Sequence, residues 1–573
     1  MEKAKQLPYG ISNFETIRTQ NYAYVDKTRF IELLEKESNP YQFFIRPRKF
    51  GKSLFFSTLS NYYDINTVNK FQQLFGDLYI GQHPTPEKNK CVILKFNFSG
   101  INTASKEGFA SSFENVVQQS VCSCLKIYEN VFTDADELIR QINENKLGIQ
   151  ALRVIYSATQ NTGQRLFVII DEYDHFANDL IAMGSRMGED IYRRMVRANG
   201  LVRDFYETLK IGTSDVVNHI FITGISPVML DDLTSGFNIA SNLSLDLRYN
   251  EMMGFTQAEV DALMIETGVN PDYINVDMKA YYDGYLFHQD GGNRVYNPSM
   301  VLYFFNNILK EKKAPQNILD ENLKTDYGRL QRLATNDKNR QTLIEILKED
   351  GIVTTIVPKF SIDRLYDDEY FVSLLFYMGL LTIQEPDFMQ VRLAIPNYSI
   401  QTIFWEYFRL LMQENSPEVI VEVQPLINSI KGMAMEGDIF GYIDYVSKNA
   451  FAKLSDRDLR NFDEKYIQIL LLAYLFQSKI YIPMSEYEAV PGFADIFLQR
   501  NPDLPQIKYE WILEIKYLKT EEATKVPQKM EEAKEQLDKY LHAFRLAGRP
   551  GLYGAAIVFV GKNKFELFIQ EPV

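Results

Sequence analysis

Short apolar runs that each end in polar residues or glycine recur before Asn250 and predict the strands of a buried sheet. The runs are YQFFI from Tyr41, CVILKFNF from Cys91, LFVIID from Leu166 and HIFITG from His219. Between them, helical segments are predicted over 109–128, 134–143 and 148–160. Continuous apolar strands that alternate with helices are typical of a parallel sheet covered on both faces. The pattern therefore predicts an α/β fold for this part of the chain.

Beyond Asn250 the pattern turns helical, which predicts a helical lid followed by a mostly helical middle part. Within the middle part, the segments FVSLLFYMGLLTI and MQVRLAIPN predict a helix followed by a β-ribbon, as in a winged helix. Such a unit can contact DNA, or it can serve as a spacer or as a dimer contact. The last part predicts the order helix, three strands, helix, two strands, which is a second α/β domain. The predicted domains are 1–248, 249–330, 331–455 and 456–573.

The segment RPRKFGKSL, which joins the first predicted strand to a helix, has the pattern of a phosphate-binding loop. A helix that opens with Gly51, Lys52 and Ser53 offers unpaired N–H groups and a positive dipole end to an anion. Lys52 can contact the β- and γ-phosphates of a nucleotide, and the Ser53 hydroxyl can bind Mg²⁺. Arg46 stands where G-x-x-x-x-G-K-[ST] has its first glycine, so a basic surface turn is the alternative.

Two adjacent acids close the third apolar run and complete the predicted nucleotide site. In a phosphate-loop enzyme the first, Asp171, holds Mg²⁺ through its shell, and the second, Glu172, orients the attacking water. The alternative is a helix cap at the strand end. Thr223, with Ser226 as the fallback, is the candidate γ-phosphate sensor, unless its hydroxyl is satisfied locally. The predicted nucleotide-binding residues are Arg46, Arg48, Lys49, Phe50, Gly51, Lys52, Ser53, Leu54, Asp171 and Thr223.

The residues before the loop predict a short strand over 22–25 and then an amphipathic helix that Asp26 or Thr28 caps. This flank either lies against the base and ribose of the nucleotide or serves as a packing arm. The sequence leaves both alternatives open.

Composition and charge limit the classes of function. The chain of 573 residues is 46% hydrophobic and 24% charged, which is ordinary for a globular protein of several domains. A net charge of −14 argues against a protein that coats nucleic acid by charge alone. Cys91, Cys122 and Cys124 form neither a metal spacing nor a disulfide framework. The start lacks an apolar signal segment and no apolar run spans a bilayer, so we expect a cytoplasmic protein without membrane contact.

Three charged residues on apolar strands of the last domain predict a second site. Glu514 and Lys516 lie two positions apart in EWILEIKYL and therefore point to one face of a strand. Asp495 lies in the preceding strand and points to the same face if the two strands form a hairpin. Two carboxylates suit Mg²⁺ or Mn²⁺, and a lysine beside them can hold water or stabilise a phosphoryl transition state.

The alternative for this second pattern is a solvated strand face with a cross-strand ion pair. The apolar residues on both sides of Glu514 argue against it, because charges are rarely buried without function. Phosphodiester hydrolysis is the predicted reaction. Glu464 is a candidate further metal ligand, and Glu486 or Glu488 is another. Gln536, with Tyr540 one turn further along the predicted helix, is a candidate to orient the lysine or the scissile phosphate.

Together, these motifs resemble those of AAA-ATPase-like proteins that carry a C-terminal PD-(D/E)XK nuclease-superfamily domain. The resemblance rests on YVDKT, FIRPRKFGKSL, VIIDEYD, FITGIS and YDGYLF, and near the end on SEYEAVPGFADIFL, ILEIKY and the Gln536 helix. The family's loop commonly has R-P-R in place of the first glycine, so Arg46 fits it. A basic residue often precedes the family's Ala-Asp pair, where this chain has Phe493.

The resemblance implies an AAA-like P-loop NTPase domain with a helical lid, and a restriction-endonuclease-like nuclease domain. The leading hypothesis is an ATPase that uses ATP and Mg²⁺ and controls a metal-dependent phosphodiesterase for DNA or RNA. Its catalytic residues are Glu172, Asp495, Glu514, Lys516 and Gln536, and its metal ligands are Ser53, Asp171, Glu464, Asp495 and Glu514.

Two other functions stay open. One is a nucleotide-switched module that binds nucleic acid or protein through an inactive nuclease fold, motivated by the acidic charge and Phe493. The other is a small-molecule kinase, which the lack of a second substrate acid disfavours. AAA-type sites often need an arginine from a neighbouring subunit, so a homo-oligomer is compatible with the pattern.

Overall fold

The computed structural model describes residues 4–145, 147–182, 186–197, 200–233, 237–274, 276–315, 337–359, 364, 367–416, 418–454, 462–489, 492–501, 504–543, 548–562 and 564–571. The chain divides into two compact units. The first consists of Met1–Leu343 and Gly351–Asn397, and the second of Ile344–Asp350 and Tyr398–Val573. The finer predicted boundaries at 248, 330 and 455 stay predictions. The predicted middle domain, 331–455, has residues in both of these units.

A five-stranded parallel sheet forms the centre of the first unit. Its strands are β1 (Tyr41–Ile45), β2 (Val92–Asn97), β3 (Leu166–Asp171), β4 (Val217–Gly224) and β5 (Ser241–Asn242). They lie in the order β2-β3-β4-β1-β5, and every residue of β3 is buried. The predicted parallel sheet is therefore confirmed. It brings the carboxyl ends of β1, β3 and β4 together at one edge.

Helices cover this sheet and form the lid. They are α1 (Phe14–Thr19), α2 (Arg29–Lys36), α3 (Lys52–Tyr63), α4 (Phe71–Phe75), α5 (Tyr79–Gln82), α6 (Lys106–Ile127), α7 (Ala135–Asn145), α8 (Gly148–Thr162), α9 (His175–Ala182), α10 (Arg186–Val196), α11 (Leu201–Gly212), α12 (Leu230–Leu233), α13 (Gln257–Thr267), α14 (Met278–Tyr282) and α15 (Pro298–Glu311). The helices predicted over 109–128, 134–143 and 148–160 are confirmed as α6, α7 and α8.

The strand predicted over 22–25 is wrong, because this segment forms only an isolated bridge between Gln6 and Tyr22. The Asp26 carboxylate instead accepts hydrogen bonds from the amide (2.8 Å) and hydroxyl (2.6 Å) of Thr28, which turns the chain into α2. Thr28 is the N-cap residue of α2 but makes no side-chain cap bond.

An ion pair ties this flank to the lid. Lys27 Nζ lies 2.7 Å from Glu259 Oε2 and donates to the Glu251 carbonyl at 3.0 Å. Glu259 also forms the capping box of α13 with Thr256, so one carboxylate fixes both the start of the lid helix and the flank.

The winged-helix-like part consists of α16 (Asp337–Lys348), β6 (Ile352–Thr354), α17 (Asp368–Tyr377), β7 (Thr382–Asp387) and β8 (Gln390–Ala394), with antiparallel strands in the order β6-β8-β7. The DNA-contact alternative does not fit the helix before the ribbon. Residues Phe371 to Tyr377 of α17 are all buried, and its first turn carries Asp368 and Glu369. A helix that reads a groove must expose side chains to it, and acids repel phosphates. The spacer and the dimer-contact alternatives both stay predictions.

A second five-stranded sheet forms the centre of the second unit, in the order β13-β12-β11-β10-β9. Its elements are α18 (Tyr398–Asn415), α19 (Val423–Glu436), α20 (Ile439–Asn449), α21 (Glu464–Leu475), β9 (Tyr481–Ala489), β10 (Gly492–Arg500), β11 (Glu510–Leu518), α22 (Val526–Leu541), β12 (Leu552–Val560) and β13 (Lys564–Gln570). The predicted order of elements and the antiparallel β10–β11 pair are confirmed.

Polar contacts join α19 and α20 to this nuclease-like core. The Trp511 indole donates to the Met433 carbonyl at 3.2 Å, and the Tyr442 hydroxyl donates to the Leu471 carbonyl at 2.8 Å. Both donors are fully buried, so separating these helices from the sheet would expose apolar surface and break the bonds. In the described part of the chain, no helix is long and apolar enough to cross a bilayer.

Candidate functional sites

The loop between β1 and α3 has the geometry of a phosphate loop. Gly51 precedes α3 with a φ of 91°, a left-handed conformation that glycine adopts without strain. Lys52 begins the helix, and its Nζ donates to the carbonyls of Arg46 at 2.8 Å and Pro47 at 2.7 Å. The loop therefore curls around the lysine ammonium at the amino end of α3.

The hydroxyl of Ser53 connects this loop to the acid-bearing strand. Ser53 Oγ donates to Asp171 Oδ2 at 3.1 Å. Burial lowers the pKa of Lys52 to about 8, although Asp171, Asp174 and Glu172 partly offset the effect. Burial also raises the pKa of Asp171, against the influence of Lys52. A hydroxyl and a carboxylate this close are oxygen donors that fit Mg²⁺.

Glu172, the second predicted acid, is held in an unusual backbone conformation. Its φ is 52°, which costs a non-glycine residue free energy and is common at functional sites. Its amide donates to Asp171 Oδ1 at 3.0 Å, and its Oε2 lies 3.6 Å from His175 Nδ1. The carboxylate is partly exposed, as a group that positions water must be.

A cavity of about 540 Å³ opens next to the loop, a volume typical of ligand pockets. Loop residues Arg48, Lys49, Phe50, Gly51, Lys52, Ser53 and Leu54 line it, together with Glu172 and His175. The flank contributes Tyr24 and Val25, and the lid contributes Met253 and Phe255. The flank therefore borders this cavity, and its contact with a base and ribose stays a prediction.

The prediction that Arg46 binds nucleotide needs correction, because its side chain is buried behind the loop. The guanidinium donates to the carbonyls of Ile45 (2.9 Å), Ser244 (2.7 Å) and Tyr249 (2.9 Å). It also lies between the rings of Phe44 and Phe287, with centroids 4.2 Å and 3.9 Å away. Burial lowers the pKa of Arg46. Its side chain supports the loop, and only its carbonyl contacts Lys52.

The sensor role predicted for Thr223 or Ser226 also needs correction. The Thr223 hydroxyl is fully buried and donates to the Phe44 carbonyl at 2.9 Å, which is the satisfied-hydroxyl alternative. The Ser226 hydroxyl donates to Asp174 Oδ2 at 2.8 Å. Both hydroxyls are used inside the protein, so this arrangement leaves neither for a phosphate.

Sequence reasoning missed Asp174 and His175. Asp174 is fully buried and also accepts hydrogen bonds from the Ile225 amide and the Asn178 side chain. His175 lies between Glu172 and Asp179, about equally far from both carboxylates. The third acid of DEYD was the available signal for Asp174, while His175 gave no pattern of its own.

The predicted second site converges around Lys516. Lys516 Nζ lies 2.7 Å from Glu514 Oε1 and 3.4 Å from Glu464 Oε1, on strand β11 and helix α21 respectively. Burial by itself would lower the pKa of Lys516, but Glu514, Glu464 and Asp495 outweigh it and raise the pKa. Glu514 is only 3% exposed at its side chain. Lys516 therefore keeps its positive charge among carboxylates.

Asp495 joins the same group through the backbone of β11. The assigned ladder between β10 and β11 reaches the pair Ile496–Leu513, and beyond it Asp495 Oδ2 accepts the Ile515 amide at 2.7 Å. The Asp495 carbonyl in turn accepts a hydrogen bond from the Gln468 side chain of α21. The acid is thus fixed at the place where the two strands separate.

The carboxylates of Glu464, Asp495 and Glu514 are the oxygen donors that Mg²⁺ and Mn²⁺ prefer, so by donor chemistry they fit a divalent cation. Among the described residues, no three acids, histidines or cysteines already form a cation cage. Gln536 Oε1 is buried and has no hydrogen-bond partner in the described part of the chain, so it does not orient Lys516 directly. The side chains of Glu486 and Glu488 lie outside those that the structure describes.

Comparison with known proteins bears on both halves of the chain. Residues 8–234 match the family model described as a predicted AAA-ATPase, and residues 462–567 match that of the PD-(D/E)XK nuclease superfamily. The class implied by the sequence motifs is therefore confirmed. The chain combines an AAA-ATPase-like module with a C-terminal PD-(D/E)XK nuclease-superfamily domain in an α/β multidomain fold.

One curated relative is 29% identical over 319 residues, the "Uncharacterized protein in vnfD 5'region" of Azotobacter chroococcum mcd 1. The match spans 52% of this chain and 52% of the relative, about half of each. Among solved structures, the Walker-type ATPase PABY2304 of Pyrococcus abyssi is similar at 12% identity, covering 70% of this chain and 99% of its own, with a TM-score of 0.38. The Aeropyrum pernix ORC1 protein in complex with DNA is similar at 9% identity, covering 69% and 97%, with a TM-score of 0.26.

Proposed function

We propose that the first unit binds and hydrolyses ATP, and that this activity controls a metal-dependent phosphodiesterase in the second unit. The observation that carries the proposal is that each unit has a lysine among carboxylates, buried in the case of Lys52 and 13% exposed at its side chain in the case of Lys516. Lys52 is close to Asp171 and Glu172, and Lys516 contacts Glu514. Phosphoryl chemistry needs this combination, because positive groups stabilise the charge that develops and acids hold a cation or a water molecule.

In the ATPase half, Lys52 is poised to exchange its two carbonyl partners for phosphate oxygens. The exchange is favourable because the carbonyls are neutral and the phosphates are charged. The free amides at the start of α3 would donate to the same phosphates. Mg²⁺ held by Ser53 and Asp171 would offset further charge. Glu172 would orient the attacking water toward the γ-phosphate.

Two variants test the ATPase half on the full chain. Lys52→Ala should abolish ATP binding, measured by calorimetry. Glu172→Gln should bind ATP but hydrolyse it about 100-fold more slowly or worse. Lys126→Ala is the matched control, since this exposed lysine pairs with the exposed acids Glu129 and Asp136. ATP binding that survives Lys52→Ala would refute this half.

In the phosphodiesterase half, Lys516 would stabilise the pentacoordinate phosphorus, because its raised pKa keeps it protonated. Glu464 accepts the Tyr517 amide at 3.2 Å as well as contacting Lys516, so it fixes the direction of the ammonium. A divalent cation bound by Asp495 and Glu514 would polarise the scissile phosphate and activate water. DNA or RNA is the proposed substrate.

The test of this half is a titration with Mg²⁺ or Mn²⁺ in the presence of labelled single- and double-stranded DNA and RNA. Glu514→Gln and Lys516→Met should each lower the cutting rate about 100-fold or more. Lys529→Met is the control, because this lysine of α22 pairs with Glu532 at the surface. Cutting that persists in both site variants would point to a contaminating nuclease and sink the proposal.

A nucleotide-switched binding protein is the second candidate. It is favoured by Lys516, which already neutralises Glu514 and Glu464 and so lowers the demand for a cation. Binding of nucleic acid without cutting, under every metal condition, would support it over the enzyme.

A cytoplasmic location and a homo-oligomer are the last parts of the proposal. The free cysteines Cys91, Cys122 and Cys124 suit a reducing compartment.

A further inference from the structure

A histidine lies next to the acid that is proposed to orient water in the ATPase half. His175 is the first residue of α9, and its amide donates to the Glu172 carbonyl at 3.1 Å. Its side chain is 22% exposed and lines the cavity beside the phosphate loop, as Glu172 does. The imidazole and the Glu172 carboxylate therefore border the same space.

The imidazole lies between two carboxylates. Its Nδ1 is 3.6 Å from Glu172 Oε2, and its Nε2 is 3.5 Å from Asp179 Oδ2, one helical turn further along α9. Both distances are within ion-pair range, and contacts of this kind in catalytic sites commonly shorten when substrate is bound. A carboxylate on one ring nitrogen fixes the direction in which the other nitrogen points. Asp179 thereby directs the ring toward Glu172.

The Glu172 carboxylate depends on this contact. Among the residues that the structure describes, it has no other ion-pair or hydrogen-bond partner. The ammonium of Lys52 also attracts this carboxylate, and the neighbouring Asp171 repels it. If the carboxylate were drawn to Lys52, it would compete with phosphates for the ammonium and leave the water unoriented. A partner on α9 opposes that movement.

The backbone that carries the imidazole is firmly held. The residues around it, Tyr173, Asp174 and Phe176, are all fully buried. The Tyr173 hydroxyl donates to the Ser226 carbonyl at 2.6 Å. His175 is thus a partly exposed side chain on a fixed turn. A side chain on a fixed backbone can hold its neighbour more precisely than one on a mobile loop.

We propose that His175 is a positioning residue for ATP hydrolysis, which holds the Glu172 carboxylate toward the attacking water. It acts through Glu172 and does not contact the reacting atoms. The inference rests on the proposed ATPase function of the first unit. The alternative is an ordinary ion pair at the start of a helix, which would leave catalysis unchanged.

Steady-state ATP hydrolysis by the full chain tests the role with three substitutions. His175→Ala should lower kcat about ten-fold or more and leave KM and ATP binding, measured by calorimetry, within about two-fold. His175→Asn should keep most of the rate, because its amide nitrogen takes the place of Nδ1 and faces Glu172. His175→Gln should be as slow as His175→Ala, because its amide takes the place of Nε2 and faces Asp179. His542→Ala is the matched control, since His542 lies 3.4 Å from Asp538 on α22 of the other unit.

A double-mutant cycle shows whether the effect passes through Glu172. In the Glu172→Gln background, His175→Ala should cause no further loss of kcat, because residues that act as a unit are not additive. Three results would each overturn the inference: a wild-type kcat for His175→Ala, an equal loss of ATP binding and rate, or a full further loss in the Glu172→Gln background. Equal rates for His175→Asn and His175→Gln would overturn it as well.

The same measurements separate this inference from the proposed function. If Glu172→Gln is slow and His175→Ala is as fast as the wild type, the ATPase stands and the positioning role is wrong. If the wild type does not hydrolyse ATP, or Glu172→Gln hydrolyses it at the wild-type rate, the proposed ATPase mechanism is wrong and the role of His175 falls with it.

Discussion

The carboxylate of Asp174 accepts hydrogen bonds from both the amide and the hydroxyl of Ser226, at 2.7 Å and 2.8 Å. Asp174 follows the end of β3, and Ser226 follows the end of β4. This contact therefore fastens the two strand ends that border the nucleotide loop. The turn between Asp171 and Asp174 contains Glu172 with its positive φ, so the same contact helps to fix the proposed water-orienting acid.

Asp174→Asn should destabilise the protein and slow ATP hydrolysis. The amide nitrogen of asparagine cannot accept a hydrogen bond, so a buried N–H or O–H group would lose its partner at a cost of about 1–3 kcal/mol. Thermal melts and steady-state ATPase assays measure the two effects. Asp190→Asn is the control, since Asp190 is exposed and pairs with Arg194 on the same helix. A variant that melts and hydrolyses like wild type would rule out the fastening role.

Glu35→Gln should stabilise the protein at neutral pH. Burial raises the pKa of Glu35 above its ordinary value of 4.5, although Thr85 and Tyr63 donate to its Oε1, each at 2.7 Å. A raised carboxyl pKa means that the folded state opposes ionisation, so the penalty is present above the folded pKa and vanishes below 4.5. Glutamine keeps an acceptor for both hydroxyls without the charge.

Thermal melts at several pH values check this prediction. The gain from Glu35→Gln should be largest at neutral pH and should shrink as the pH falls through the window above 4.5. Glu32→Gln on the same helix is the control. Hydrogen bonds from Lys36 and Tyr79 lower the pKa of Glu32, so removing its charge should give no gain. A gain from Glu35→Gln that does not change with pH would contradict the burial argument.

Phe388→Gly should stabilise the β7–β8 hairpin. Phe388 and Met389 form the two-residue turn, and Phe388 has a φ of 54° with its side chain 99% exposed. A positive φ at the first turn position alone matches a type II′ turn, which favours glycine there. The substitution removes strain and loses no packing, so we expect a gain of about 1 kcal/mol in the free energy of unfolding.

Chemical denaturation and thermal melts measure this gain. Met389→Gly is the matched control, because Met389 is also exposed but does not have a positive φ. It should give no stabilisation, since glycine there only adds freedom to the unfolded chain. Equal effects from both substitutions would show that strain at Phe388 does not limit the hairpin.

Arg549→Met should destabilise the second unit. Glu510 is buried, with 3% of its side chain exposed, and it accepts the Arg500 amide at 3.0 Å and Arg549 Nη1 at 3.1 Å. Removing the arginine would leave a buried carboxylate with fewer partners, at a cost of about 1–3 kcal/mol in unfolding free energy. Lys534→Met, which breaks a surface pair with Glu531, should change stability by less than about 0.5 kcal/mol. Similar melting shifts for both variants would contradict the burial argument.

Local patterns in the sequence were enough for the parallel sheet, the phosphate loop and the order of elements in the nuclease-like domain. Each depends on residues a few positions apart, such as Gly51 before Lys52 or the spacing of Glu514 and Lys516. Their backbone geometry follows from that spacing. The prediction of a strand over 22–25 was wrong because a strand also needs a neighbouring strand to pair with, and a short apolar segment does not by itself provide one.

The roles of Arg46, Thr223 and Asp174 depended on contacts that no local pattern encodes. Arg46 bonds to the Ser244 carbonyl across 198 residues of chain, and Thr223 bonds to the Phe44 carbonyl across 179. Sequence alone determined which residues can carry charge at the two candidate sites. The tertiary structure decided which side chains remain for a ligand, because burial forces every polar group to find a partner, and folding brings distant partners within reach.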